Sequence, residues 1–300
     1  MADTVPKKHL DPKLLNKIAR LELRARMVVE GFVTGMHKSP YRGFSVEFAQ
    51  HREYVPGDDV RFVDWKVFGK SDRYYIKQYE EETNLRAWLF VDASESMGYG
   101  SGGMTKMEYA RHMAAALAYL ITQQQDAAGL CLFDSELRTV VPPASSAGHL
   151  RALIQRLGEA EPRGKTGIAN ALHLASEQIG RRGVVIIVSD LLDRPEDILG
   201  AVRRLRHRKH EVILFHLLDR DERTLPFERT TRFEGLEEMP HVMADPAALR
   251  TQYLAELEAF TREVSRGCRG NAADFVSVDT QTPLDVTLST YLASRGKVRS

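Results

Sequence analysis

Val184-Val185-Ile186-Ile187-Val188 is an unbroken run of five β-branched aliphatic residues, set between Gly183 and Ser189. Such side chains are stiff at their first torsion and favour the pleated, buried setting of a strand. A strand with no polar residue on either face must be covered on both sides, as the central strand of a parallel sheet is. A parallel sheet needs crossover helices, and the flanking sequence supplies them. From residue 86 onward, strand-like and helix-like segments alternate. Segments 87–91, 128–133, 139–141, 212–217 and 274–278 read as further strands. Segments 106–124, 147–157, 167–179, 195–207, 246–266 and 283–293 read as helices. The alternation predicts an α/β fold with a doubly wound, mostly parallel sheet.

The chain ahead of residue 86 has a different rhythm. Segment 11–29 places Leu14, Leu15, Ile18, Leu21 and Leu23 among charged residues at near-helical spacing. Glycines and Pro40 break the pattern over 31–43, and short aromatic-rich, strand-like pieces follow over 44–79. Within them lies the turn signal Pro56-Gly57-Asp58-Asp59. We therefore expect an N-terminal helix plus a small β-rich segment over residues 1–85. An α/β domain closed by a C-terminal helix is expected over 86–300, with the boundary near Glu82-Thr83-Asn84.

Bulk properties exclude several functions. The 42 Lys and Arg nearly cancel the 41 Asp and Glu, so no global field draws the chain to nucleic acid or membrane. Cys131 and Cys268 are the only cysteines, too few for a disulfide framework or a cysteine-based zinc site. No apolar run approaches the roughly 20 residues that span a bilayer. The first residues lack the apolar core of a signal peptide, so a cytoplasmic location is expected. The basic cluster Arg203 to His210 reads as a solvated helix end, where cations favour the helix dipole. Gly164-Lys165-Thr166 ends like a phosphate-binding P-loop, but Glu159 stands where that motif needs its first glycine.

The chemistry concentrates in three short stretches. Asp92-Ala93-Ser94-Glu95-Ser96 follows the first strand of the alternating region. In an open α/β sheet the crevice beyond the strands' carboxyl ends is where ligands bind. Arg163-Gly164-Lys165-Thr166-Gly167 is a tight loop offering the Thr166 hydroxyl, and Ser189-Asp190 follows the aliphatic strand with a second carboxylate. Asp92, Ser94, Ser96, Thr166 and Asp190 together make an oxygen-only set of two acids and three hydroxyls. Such a set suits Mg²⁺, with Mn²⁺ or Ca²⁺ as alternatives. Since only two ligands carry charge, the ion stays electrophilic and has room for one more anionic oxygen, such as a partner's carboxylate.

D-x-S-x-S after a first strand, a Thr from a second loop and an Asp from a third resemble the metal-ion-dependent adhesion site (MIDAS) of von Willebrand factor A domains. The resemblance covers roughly residues 86–278. A second signature is Tyr54-Val55-Pro56-Gly57-Asp58-Asp59-Val60-Arg61-Phe62-Val63-Asp64-Trp65, in which Asp58, Asp59 and Asp64 surround Arg61. With the downstream D-x-S-x-S and the closing Thr282-Pro283-Leu284-Asp285 and Tyr291-Leu292-Ala293-Ser294-Arg295, it resembles domain-of-unknown-function family 58. That resemblance implies a bacterial, non-enzymatic, chaperone-like adaptor. Its partners would be a MoxR-type AAA+ ATPase and an unknown client with an acidic side chain, with neither nucleic acid nor stable membrane insertion. Two rival readings stand beside it. Haloacid-dehalogenase-like phosphohydrolases also place an Asp after the first strand, but want a second Asp where this chain has Ser94. A nucleic-acid-binding module would use the basic cluster at 203–210, against the near-zero net charge.

Overall fold

The computed structural model describes residues 46–53, 67, 74–81, 85–180, 182–237 and 241–298. The helix expected over 11–29, the boundary tripeptide and the Tyr54–Trp65 signature lie outside the described residues. The chain divides into two units, with Lys38–Leu85 in one and everything from Arg86 on in the other. In the smaller unit, β1 (Val46–Glu53) and β2 (Tyr75–Glu81) form an antiparallel pair with an irregularity between Phe48 and Gln50.

The larger unit begins with β3 (Arg86–Asp92), whose residues after Arg86 are all buried. A single 3-10 turn, Glu95–Gly98, leads to α1 (Lys106–Gln123). Then come β4 (Ala127–Phe133), β5 (Leu137–Ala144), α2 (Ala147–Glu159) and α3 (Ile168–Gln178). After β6 (Gly183–Ser189), α4 (Pro195–His207) and β7 (His210–Leu218) follows a stretch without strong periodicity. It holds α5 (Arg220–Thr224), β8 (Thr231–Phe233) and β9 (Val242–Ala244). The long α6 (Pro246–Gly270), β10 (Asp274–Asp279) and α7 (Leu284–Val298) complete it. Among the described residues no helix is long and apolar enough to cross a membrane.

The main sheet runs β10-β7-β6-β3-β4-β5. Every pairing is parallel except that of β4 with the edge strand β5. This is the α/β, doubly wound, mostly parallel sheet expected from the alternation. β5 is longer than its expected three residues because Pro142 and Pro143 are tolerated on an edge strand, where half of the backbone donors have no partner to serve. Alternation along the strands splits the core. Trp88, Phe90, Cys131, Phe133, Val185, Ile187, Val212 and Leu214 pack on one face with Ile168 and Leu172 of α3, Ile198 and Val202 of α4, and Val264 and Cys268 of α6. Leu89, Val91, Leu130, Ile186 and Phe215 alternate with them, and Phe215 meets Tyr291 of α7 edge-on at 5.3 Å between ring centroids. Cys131 is thus a small core residue, its thiol pushed up to about 12 by burial and so inert.

The order places β3 and β6 side by side, with Val91 level with Val188. Chain connections leave these two strands in opposite directions, α1 returning toward β4 and α4 toward β7. That reversal opens a crevice at the strands' carboxyl ends.

Candidate metal site

Asp92, the last residue of β3, is fully buried. Its Oδ1 accepts from the Ser94 amide at 2.9 Å and its Oδ2 from the Ser189 hydroxyl at 2.5 Å. The first bond folds the chain sharply after the strand. The 3-10 turn then carries Ser96 back inward, where its hydroxyl lies 3.0 Å from that of Ser94. Both serines are buried.

Thr166 reaches the same point because two loops are laced together. Arg163 N donates to Ala93 O at 2.9 Å, and Glu95 N donates to Gly164 O at 2.9 Å. Gly164 has φ of 74°, a left-handed conformation that glycine adopts without a Cβ penalty. Gly167 passes so close to Ser135 that an added Cβ would lie 2.8 Å from its Cα. The result sets Thr166 Oγ1 2.9 Å from Ser94 Oγ.

Asp190 follows β6 and is also buried. It is close enough for its charge to act on Asp92. Burial first, and that charge second, push Asp92 up to about 7. The structure therefore gathers all five sequence-expected residues at the β3/β6 reversal.

Four neighbours were not singled out from sequence. Ser189 is the residue before Asp190, and its hydroxyl locks Asp92. Lys106, the first residue of α1, is 1% exposed and donates to Asp190 Oδ2 at 2.7 Å and Glu222 Oε1 at 2.6 Å. The pattern Thr105-Lys106-Met107-Glu108 marks a helix start but not the burial of its lysine. Thr105 and Glu108 form a reciprocal capping box that starts the helix there. Burial opposes the Lys106 charge, but the two carboxylates outweigh burial and hold the ammonium above the usual lysine range. Glu222 sits in the five-residue α5. Glu237 comes from the β8–β9 connection, where its carboxylate accepts from Thr166 Oγ1 at 2.6 Å and Thr166 N at 3.0 Å. Nothing periodic in the sequence marked either glutamate.

Two features of these residues suit a cation. Asp190 Oδ1 is buried without a hydrogen-bond partner, although a buried carboxylate oxygen ordinarily finds one. Asp92 and Asp190 also stand together in low dielectric with Lys106 bonded to only one of them. Among the described residues no three or more His, Cys, Asp and Glu cluster for metal binding, so a metal would need hydroxyl ligands as well.

The basic cluster expected at 203–210 is the end of α4 and the start of β7. Arg203, Arg204, His207, Arg208 and Lys209 are exposed there, while Arg206 bonds the carbonyls of Asn271 and His210.

Strand order, the antiparallel edge and the loops meeting at one crevice give this unit a doubly wound, mostly parallel α/β sheet with its candidate residues at the strands' carboxyl ends. Among solved structures, BatB from Bacteroides thetaiotaomicron is similar, with 17% identity, a TM-score of 0.49 and coverage of 71% of this chain and 99% of that one. The SpRpn10 VWA domain is similar with 12% identity, a TM-score of 0.42 and coverage of 71% and 95%. Over nearly its whole length the chain resembles an uncharacterized protein of Mycobacterium tuberculosis, 28% identical over 291 residues, covering 95% of this chain and 90% of the relative. Residues 50–263 match the family model described as "Protein of unknown function DUF58", and the chain belongs to that family.

Proposed function

We propose that this chain is a non-enzymatic, metal-dependent protein-interaction adaptor. Asp92, Ser94, Ser96, Thr166 and Asp190 would hold Mg²⁺, or Mn²⁺ or Ca²⁺ in its place. When bound, the ion supplies an electrophilic position for a carboxylate of a client protein. A MoxR-type AAA+ ATPase, the partner that the family resemblance implies, would do mechanical work on the captured client during maturation or assembly.

The observation that carries this reading is the unpartnered, buried Asp190 Oδ1 beside Asp92. Two like charges out of water cost several kcal/mol unless a cation joins them. Lys106 offsets part of that cost and fixes Asp190 by its other oxygen. A non-enzymatic role agrees with the residue two positions after Asp92. The phosphohydrolase alternative wants a second Asp two residues on as acid/base, where this chain has Ser94.

Titration calorimetry with Mg²⁺, followed by affinity capture from lysate in Mg²⁺ and in chelator, tests the reading. One Mg²⁺ per chain is expected in the wild type and none in Asp92→Ala, with client retention lost in parallel. Client retention unchanged in both the variant and the chelator would remove the metal from the mechanism.

A further inference from the structure

The five expected residues differ in depth. Asp92, Ser94, Ser96 and Asp190 are buried, while Thr166 is part-exposed and forms the solvent side of the cluster. On that side Glu237 is seated by both carboxylate oxygens, one on the Thr166 hydroxyl and one on the Thr166 amide. Its backbone is held as well, for Glu237 N donates to Glu95 Oε2 at 3.1 Å, within the D-x-S-x-S segment itself. Glu237 adopts φ of 61°, a left-handed conformation that costs a non-glycine residue strain.

Lys106, the buried cation beside Asp190, is bonded to Asp190 and Glu222 rather than to Glu237. No ion pair joins Glu237 to a described Lys, Arg or His. A non-glycine residue held in a strained backbone conformation with its carboxylate seated on the cluster is the kind of strain that persists at ligand clamps. A carboxylate held at the outer hydroxyl of an oxygen-ligand cluster is also the chemistry expected of an incoming acidic side chain.

We infer that Glu237 is the chain's own occupant of the client-carboxylate position, so that a client binds by displacing it. The inference rests on the metal reading above and narrows the partner. The client must present an Asp or Glu side chain that competes with an intramolecular carboxylate. Glu237 must leave the Thr166 hydroxyl and amide as it does so.

Water-proton relaxation of protein-bound Mn²⁺ tests this, since it counts exchangeable water on the ion. Wild type, Glu237→Ala, Asp92→Ala and the exposed control Glu234→Ala are compared, each with and without acetate as a carboxylate probe. Mn²⁺ binding that needs Asp92 is expected, with one more inner-sphere water in Glu237→Ala than in wild type or Glu234→Ala. Acetate should remove that extra water in Glu237→Ala and leave the wild type unchanged. Asp92-dependent Mn²⁺ binding with equal hydration in wild type and Glu237→Ala would overturn the inference while the metal reading stands. Binding absent from wild type, or untouched by Asp92→Ala, would overturn the metal reading and this inference with it.

Discussion

Lys106 is the residue that most changes how the site is understood. Its ammonium lies between Asp190 and Glu222 at 1% exposure, a buried ion pair of the kind whose value depends on both partners being present. Replacing it by methionine keeps the stem's volume but leaves Asp190 with neither oxygen paired. Without metal, Lys106→Met should lose about 3–5 kcal/mol, the usual cost of breaking a buried pair. A dication that binds at Asp190 recovers part of that loss. Urea unfolding in chelator and in Mg²⁺ checks it, the expected outcome being a larger Mg²⁺-dependent gain in the variant than in wild type. Equal gains would detach Lys106 from the metal position. From the sequence alone Asp92, Ser94, Ser96, Thr166 and Asp190 could be named because each follows a strand or opens a helix. Lys106 was hidden because a lysine at a helix start is ordinarily solvated, and only the tertiary fold shows its side chain turned inward.

At the scale of elements, the loop over 163–167 decides whether Thr166 belongs to the site. Its path depends on the two backbone bonds to Ala93 and Glu95 and on the close pass of Gly167 over Ser135. Gly167→Ala must shift the loop away from Ser135 and with it Thr166. Weaker Mg²⁺ affinity by calorimetry is expected, whereas Gly148→Ala, where an added Cβ meets nothing within 4 Å, should leave affinity unchanged. Equal affinity in all three proteins would show that Thr166 does not contribute. Elements with strong local signals were legible. α4 runs over the same residues the sequence suggested, opened by Pro195 and closed by its basic turn. α5, β8 and β9 were not, because three to five residues are too few to display a period. Glu222 and Glu237 went unseen for the same reason, lying in and beside these short pieces.

For the whole molecule, the aliphatic strand at 184–188 and the alternation around it specified an α/β sheet, and the order β10-β7-β6-β3-β4-β5 makes the neighbourhood of Asp92 and Asp190 a consequence of topology. Residues far apart in the chain meet because β3 and β6 are adjacent at the point where the winding reverses. The antiparallel direction of β5 was not legible, since strand polarity at an edge leaves little trace in hydrophobic pattern. The central claim is that this crevice binds a divalent ion through those five side chains. Anomalous diffraction at the Mn edge from crystals grown in Mn²⁺ tests it most directly. The account predicts a peak bounded by Asp92, Ser94, Ser96, Thr166 and Asp190. Density from a well-ordered crystal with no peak there, and Lys106 still bonded to Asp190 across an undisturbed hydroxyl cluster, would contradict it.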